Sequence, residues 1–225
     1  MKEGHAMPAM PPTPKGQRTR AHLLLAARRV FARDGFVNMR MSDVATEANT
    51  SLGAVYRYFK DKEDLFENLI GDIHEELYEA SHPREHRFAT DPYAALLEAN
   101  RGYLGLYHQH RDVMRALIEA AAVDSRFRDV WWKMRVRHRE RFVNSLARDG
   151  SAEDPFLTRL AAEAMACMVE QAAYVWFAHD ALQDVEIPVE TAADILTDGW
   201  YRMFFNDDGS RRVPGAHLLA DPQAP

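Results

Sequence analysis

The chain contains almost no cysteine. Cys167 is the single cysteine among 225 residues, so no internal disulfide can form, and no cysteine cluster could hold zinc or an iron–sulfur centre. A lone thiol is typical of a reducing compartment, and the N-terminus lacks the apolar core of a signal peptide. We therefore expect a cytoplasmic protein without a metal ion or other cofactor.

Strands and membrane spans are also missing from the pattern. No segment alternates long enough with a period of two to predict a strand, whereas apolar residues recur at steps of three and four. The most apolar segment, residues 161–178, has fifteen apolar residues out of eighteen and is interrupted by Glu163, Glu170 and Gln171. Two carboxylates argue against a bilayer span. A helix apolar nearly all round is instead expected to be buried by its own core and by a partner subunit.

Signatures of common enzyme sites are absent as well. There is no glycine-rich phosphate loop and no serine in a nucleophile elbow, and His74 lacks the second histidine of a zinc-protease helix. His108 and His110 could form a metal pair, but no third ligand is in view, and two exposed histidines explain the same spacing. An all-α enzyme and a helical adaptor that does not bind DNA are the alternatives to the function inferred below.

Charge is divided unevenly along the chain. The net charge is −6, but residues 1–60 hold ten Lys and Arg against four Asp and Glu, a balance of +6, while residues 61–225 hold eighteen against thirty, a balance of −12. Such asymmetry indicates a basic segment that faces nucleic acid, attached to an acidic body. Chance clustering of charge on solvated faces would give the same numbers.

The first sixty residues predict an arm followed by three helices. Prolines punctuate residues 1–16, which we expect to be disordered. A helix from about Thr19 carries an apolar stripe and ends at Gly35. Ser42 is a candidate N-cap for a second, short helix, and Asn49 suits a left-handed turn position. Ser51 then caps a third helix, predicted to run through Phe59. The small core is expected to consist of Val44, Ala45, Ala48, Val55 and Phe59.

The remaining sequence predicts six further helices, making about nine in an all-α fold. Asp61 and Asp64 open the first of the six, whose apolar stripe extends to Leu77. After a loop bounded by Pro83 and Pro92, helices are expected over residues 93–110, 112–122, 127–148, 155–179 and 188–205. This organisation predicts a helix-turn-helix domain over residues 17–62, a second helical domain over 63–206, and a flexible tail over 207–225.

Residues 18–66 carry a specific pattern. It includes Arg18-x-Arg20-x-x-Leu23-Leu24, then Gly35-Phe36, and above all Gly53-x-x-Tyr56-x-Tyr58-Phe59-x-x-Lys62-Glu63-x-Leu65. This pattern resembles the DNA-binding domain of the tetracycline-repressor (TetR) family of transcription regulators. The resemblance implies a homodimeric, ligand-responsive regulator, most simply a repressor that a small molecule releases from operator DNA. In its second domain the chain loosely resembles the ethionamide-resistance repressor subgroup.

Within this motif, the second helix of the helix-turn-helix is expected to enter the major groove, flanked by phosphate contacts. The expected DNA-contacting residues are Lys15, Arg18, Arg20, Ser42, Thr46, Leu52, Gly53, Ala54, Tyr56, Arg57, Tyr58, Lys60 and Lys62. Arg57 is the candidate for reading guanine, because its fork matches O6 and N7. Leu52 stands where relatives often have a polar residue. This difference predicts fewer direct hydrogen bonds to base edges and more reliance on DNA shape. In the alternative interpretation, Tyr56 and Tyr58 are core aromatics.

The second domain is expected to sense a ligand and to dimerise. A mostly aromatic helix face with one arginine and one histidine suits a cavity that binds a hydrophobic or amphipathic molecule. The expected ligand-lining residues are Tyr103, Tyr107, Trp131, Met134, Arg135, His138, Phe142, Val169, Tyr174 and Trp200. Each of them could equally be plain core. Small and apolar residues on the last two helices predict a dimer interface there.

Overall fold

The fold is all-α, as the sequence predicted. The computed structural model describes residues 13–147, 155–179, 185–212 and 214. Its helices are α1 (Pro14–Asn38), α2 (Met41–Glu47), α3 (Leu52–Tyr56), α4 (Lys62–Ala80), α5 (Pro92–Gln109), α6 (Arg111–Val123), α7 (Ser125–Ala147), α8 (Pro155–Ala173) and α9 (Val189–Phe204), with a π-helical turn over Tyr174–Ala178. Within these described ranges, the one β-type pairing is an isolated bridge between Phe205 and Arg211.

Helix α1 begins earlier than the sequence pattern indicated. The Thr13 side chain accepts a hydrogen bond from the Gly16 amide at 3.2 Å, and Pro14 occupies the first turn. Both features favour a helix start, since the proline has no amide hydrogen to leave unsatisfied. Residues 14–16 of the predicted arm are therefore helical, and the rest of the arm, residues 1–12, lies outside the described residues.

Gly35 interrupts the end of α1, in agreement with the predicted helix stop. Its φ of 71° and ψ of 177° are not helical. A β-carbon at this position would lie 2.6 Å from Glu119 Oε2, the atom that accepts a hydrogen bond from the Phe36 amide at 3.1 Å. Glycine is thus required here by the backbone conformation, and a larger residue would also push the Glu119 carboxylate away from the Phe36 amide.

The chain divides into two compact units. Unit 1 extends to His74 and includes Asp112–Val130, and unit 2 comprises Glu75–Arg111 together with the chain from Trp131 onward. This division differs from the boundary expected at residues 62 and 63, because α4 continues in one piece from unit 1 into unit 2 and because α6 returns to unit 1. A periodic pattern shows where a helix lies, but it cannot show which core the helix joins.

Unit 1 is built around a cluster of four phenylalanines. The ring centroid of Phe66 on α4 lies 4.5 Å from that of Phe31, 5.1 Å from that of Phe36 and 5.3 Å from that of Phe127. All four side chains are buried. Aromatic rings at these separations contribute packing beyond the area they bury. They join α1 and α4 to the start of α7.

Unit 2 is organised by α5 packed along α9. Buried Asn100 donates a hydrogen bond to the Thr197 hydroxyl at 2.9 Å, which satisfies a polar pair inside this interface. The ring centroid of Phe142 on α7 lies 4.4 Å from that of Trp200 and 5.0 Å from that of Phe204. These contacts fix α7 against the same face of α9.

Three local expectations need correction. Ser42 is not the N-cap of α2, because the helix starts at Met41 and Arg40 takes the cap position. Helix α3 ends at Tyr56 rather than Phe59; the amides of Tyr58 and Phe59 both bond to the Val55 carbonyl in a closing turn. Residues 207–212, expected to be loose, belong to a turn in which the Asn206 amide bonds to the Ser210 carbonyl at 2.8 Å. The rest of the expected tail lies outside the described residues, apart from residue 214.

Candidate functional site

The helix-turn-helix in unit 1 is held by its turn. Asn49 adopts a positive φ of 49°, and the Ser51 hydroxyl accepts a hydrogen bond from the Ala54 amide at 3.1 Å, as predicted for both residues. Asp61 likewise caps α4, accepting from the Asp64 amide at 2.8 Å. The five residues expected to form the small core between α2 and α3 are all buried. The angle between the two helices is therefore determined by packing and capping.

The opposite side of this motif is open to solvent. The exposed residues are Ser42 and Thr46 on α2, and Leu52, Gly53, Tyr56, Arg57 and Lys60 in or just after α3. Ala54 and Tyr58 are half-buried. Nine of the thirteen expected DNA-contacting residues thus lie in one short segment, as an exposed or half-exposed surface next to a rigid core. We call these nine residues the α2–α3 face.

The tyrosines of this face have different environments. Tyr56 is 50% exposed, so it is not a core aromatic. Tyr58 is half-buried, and the Arg57 guanidinium lies over its ring, 5.7 Å from the centroid. A cation at this distance is attracted to the ring face. Tyr58 therefore offers the exposed Arg57 side chain a favourable contact within the face.

The four remaining basic candidates separate into two pairs. Lys15 and Arg18 are exposed on the first turns of α1. Arg20 donates to Asn68 Oδ1 at 2.6 Å, and its side chain is 20% exposed. Lys62 donates to the Phe36 carbonyl at 3.0 Å and lies 4.6 Å from the centroid of that ring. Arg20 and Lys62 already stabilise unit 1, so a phosphate would have to compete for them.

Unit 2 contains a cavity of about 550 Å³. Seven of the ten expected ligand-lining residues lie on its wall: Tyr103, Met134, Arg135, His138, Phe142, Val169 and Trp200. The volume falls within the range of small-molecule pockets, and the wall combines aromatic and aliphatic side chains with a few polar groups. The helix faces identified in the sequence therefore meet around a common space.

Three of the ten candidates are not on the wall. Tyr107 is buried beside Tyr103, with the ring centroids 5.9 Å apart. Trp131 lies on the outer side of α7 with its ring 4.9 Å from the Arg135 guanidinium. Tyr174 starts the π-helical turn and packs against His179.

Sequence reasoning missed a large part of the wall. The loop after α4 contributes most of residues 81–89, and the helices add Asn100, Arg139, Arg141 and Glu170. Asn100 could have been found, because it lies one helical turn from Tyr103 on the same face of α5. The loop residues carry no periodic signal, so their position depends on tertiary packing alone.

Burial shifts the pKa values of two titratable groups on the wall. Burial raises the pKa of Glu170, and its hydrogen bond from Arg135 Nε at 2.9 Å offsets only part of that effect. Burial lowers the pKa of His138 to about 4, so this imidazole is neutral at pH 7. The cavity therefore holds a compensated ion pair beside a neutral histidine.

The paired histidines do not form a metal site. His110 is buried, contrary to the expectation that both are exposed, and its Nε2 lies 3.0 Å from Glu76 Oε2. His108 packs against the Phe177 ring. In the part of the chain that the structure describes, no group of three His, Cys, Asp or Glu side chains could hold a metal ion, and no helix is both long and apolar enough to traverse a bilayer.

Residues 23–69 match the family described as bacterial regulatory proteins, tetR family. The chain is also similar to the HTH-type transcriptional regulator AcrR of Shigella flexneri, with 32% identity over 84 residues, which cover 37% of this chain and 39% of that protein. It is 40% identical over 53 residues to the HTH-type transcriptional repressor BepR of Brucella suis, covering 24% and 25% of the two chains. The chain thus matches less than half the length of these relatives.

Solved structures extend the likeness to the whole fold. A tetR-family transcriptional regulator from Streptomyces coelicolor superposes with a TM-score of 0.69 at 19% identity, over 83% of this chain and 80% of that one. A TetR-like transcriptional regulator from a Rhodococcus species has a TM-score of 0.64 at 26% identity, over 82% and 94%. Outside the helix-turn-helix segment, similarity is carried mainly by the helix arrangement.

Proposed function

We propose that the chain, whose residues 23–69 match the tetR family of bacterial regulatory proteins, is a homodimeric transcriptional repressor that a hydrophobic or amphipathic small molecule releases from operator DNA. The observation that carries this proposal is the α2–α3 face. Its side chains face solvent on a rigid core, within a segment of net charge +6. Exposed cations and hydroxyls in this arrangement suit the phosphates and base edges of a DNA major groove.

Glycine at position 53 gives independent support for DNA binding. Gly53 lies inside α3, where glycine weakens a helix by about 0.5–1 kcal/mol relative to alanine. A β-carbon built there would meet no atom of the chain within 4 Å. No contact among the described residues calls for a glycine here, and the open space beside α3 suits close approach of a DNA backbone or base edge.

Exposed apolar side chains on α8 and α9 support dimerisation through these helices. Phe156 and Leu160 on α8 and Ile195 on α9 are each more than half exposed, although all three are large. Such side chains are typical of surfaces that a partner covers. A two-fold dimer also meets the need for two recognition helices on successive major grooves, about 34–36 Å apart.

Helix α4 offers a route from ligand to DNA. It starts in unit 1, immediately after the α2–α3 face, and ends in unit 2 at residues that adjoin the cavity wall. A ligand that favours one conformation of this helix would change the separation of the two recognition helices in a dimer. Release then requires only a difference in ligand affinity between the two conformations.

The test is a mobility-shift titration of the full chain on DNA from its own promoter region, across a salt series. We expect a shift whose affinity falls steeply as salt rises, because phosphate contacts release counterions. Light scattering should give about twice the chain mass of 25.7 kDa. A protein that shifts no DNA at low salt, or does so without salt dependence, would contradict the proposal.

A further inference from the structure

The cavity of unit 2 carries more positive than negative charge. Its wall includes four arginines, Arg87, Arg135, Arg139 and Arg141, but Glu170 is its one carboxylate among the described residues. A ligand that fills the cavity displaces water from these groups, so their charges must be balanced from within the protein or by the ligand.

Two of these arginines are balanced by the protein. Arg135 bonds to Glu170 and lies 3.6 Å from Glu163 Oε1, and Arg139 Nη1 lies 2.5 Å from Glu163 Oε2. Arg139 also bonds to Glu140 at 2.9 Å. This network of arginines and glutamates extends between α7 and α8 and leaves little charge for a ligand to neutralise.

Arg141 is not balanced in this way. Its guanidinium donates to the Tyr78 carbonyl and to the Ser81 hydroxyl and lies over the Tyr78 ring, 4.0 Å from the centroid. These partners are all neutral, and no described carboxylate forms an ion pair with it. Burial lowers the pKa of Arg141, and the neighbouring groups Tyr78 and Glu79 offset only part of that effect. Arg141 is thus a partly desolvated cation on the cavity wall that forms no ion pair within the described part of the chain.

Trp200 contributes aromatic surface to another part of the wall. The residue is 8% exposed, and its indole Nε1 is itself shielded from solvent. Its ring packs against those of Phe142 and Phe204.

Between these polar groups the wall is apolar. Phe88, Leu96, Met134, Phe142 and Val169 contribute aromatic and aliphatic surface. A fully polar anion such as phosphate would leave this surface in contact with water. The complementary molecule therefore has an apolar body with an acidic head.

We propose that the cavity binds an amphipathic organic carboxylate, whose carboxylate pairs with Arg141 and whose apolar body contacts the aromatic wall. The inference rests on the proposed function in one respect, namely that this cavity is the effector site. It adds the charge of the effector and the residue that recognises it.

The test is isothermal titration calorimetry of the full chain with two probe pairs: decanoate against 1-decanol, and 4-phenylbutyrate against 4-phenyl-1-butanol. Each pair shares its carbon skeleton and differs in the acidic head. We expect at least one carboxylate to bind tenfold or more tightly than its alcohol. Equal affinity within both pairs, or no binding by either carboxylate up to its solubility limit, would overturn the inference.

Variants of α7 identify the recognising residue. Arg141→Met should remove the preference for the carboxylate, and Arg141→Lys should keep part of it, so a folding defect in one variant does not decide the result. Arg137→Gln is the matched control, because Arg137 lies over the same Tyr78 ring at 3.6 Å but pairs with Glu75 and is not on the cavity wall. If Arg137→Gln and Arg141→Met lose the preference equally, the assignment to Arg141 is wrong.

A mobility shift with each probe separates this inference from the proposed function. If the carboxylate binds through Arg141 but the DNA complex persists, the charge assignment stands and the effector role fails. If the alcohol binds as tightly and releases DNA, the effector role stands and the charge assignment fails.

Discussion

The arginines assigned to the two proposed sites lie in opposite environments. In unit 1, Arg18 and Arg57 are exposed, and the one described contact of the Arg57 guanidinium is the neighbouring Tyr58 ring. In unit 2, the side chains of Arg135 and Arg139 are 14% and 15% exposed and are paired with carboxylates. Exposed cations attract a polyanion in a salt-dependent manner, whereas buried ones are screened little and select by geometry. The same residue type is therefore suited to DNA binding in unit 1 and to ligand binding in unit 2 because its solvation differs.

The largest effect should come from disturbing the backbone that supports unit 1. Gly35→Ala places a side chain in a backbone region essentially restricted to glycine and displaces the Glu119 carboxylate from the Phe36 amide. Strain and the lost hydrogen bond together should lower the free energy of unfolding by about 2–5 kcal/mol. Urea denaturation followed by circular dichroism measures this change.

A second glycine provides the control for that measurement. Gly71 is an exposed position in α4 of the same unit, and a β-carbon there would meet nothing within 4 Å. Gly71→Ala should therefore raise the free energy of unfolding by about 0.5–1 kcal/mol. If both substitutions change stability in the same direction, the close approach at Gly35 is not the cause.

The next largest effect should be the pH dependence of stability that buried His138 gives to unit 2. The pKa of His138 is about 4 in the folded protein and about 6.5 when unfolded, so the unfolded chain takes up the proton first as pH falls. The contribution of neutral His138 to the free energy of unfolding is therefore fully present above pH 6.5 and is lost as the pH falls from 6.5 to about 4. A difference of about 2.5 pKa units at 1.36 kcal/mol each is roughly 3 kcal/mol. His138→Gln should remove this part of the pH dependence.

Urea titrations at pH 7.5, 5.5 and 4.5 would measure the contribution of His138 to the pH dependence of stability. Other groups also titrate in this range, so the quantity of interest is the difference between wild type and variant. His82→Gln is the control, because His82 is exposed at the cavity mouth. A wild-type slope that persists in His138→Gln would show that burial does not keep this imidazole neutral.

The third effect concerns the exposed cations of unit 1. Arg57→Ala should cost about 1–3 kcal/mol of binding on the preferred DNA sequence and relax the preference at one base pair. Arg18→Ala should weaken binding to all sequences alike and reduce the salt slope by about one phosphate contact. Mobility shifts on the operator and on scrambled DNA distinguish the two. If Arg57→Ala weakens both DNAs equally, Arg57 contacts only phosphate.

The sequence predicted unit 1 better than unit 2 for a physical reason. The caps at Ser51 and Asp61 join residues three apart, so local spacing reveals them. By contrast, Arg20 bonds to Asn68 across 48 positions, and its withdrawal from the candidate DNA surface left no local signal. Short-range hydrogen bonds can be inferred from a sequence, whereas long-range ones require the packed structure.

The cavity shows the same limit more strongly. Periodicity on α5, α7, α8 and α9 identified seven wall residues, because one face of a helix is visible in the sequence. Arg141 was missed, because its position on the wall depends on how the end of α4 and the loop from Ser81 pack against α7. The residue that we infer to set ligand charge was therefore the least accessible to sequence reasoning.

The smallest effect is the sharpest test of the exposed face. Gly53→Ala should raise the free energy of unfolding by about 0.5–1 kcal/mol, because the added methyl group meets no atom of the chain and favours the helix. The same methyl group would lie between α3 and a closely approaching DNA, so affinity for the operator should fall although the protein becomes more stable. Urea denaturation and mobility shifts on one preparation measure both changes, with Gly71→Ala as the substitution that stabilises without touching DNA. If operator affinity is unchanged in Gly53→Ala, the DNA does not approach α3 closely at this position. Gly53 would then no longer support the α2–α3 face as the DNA-binding surface.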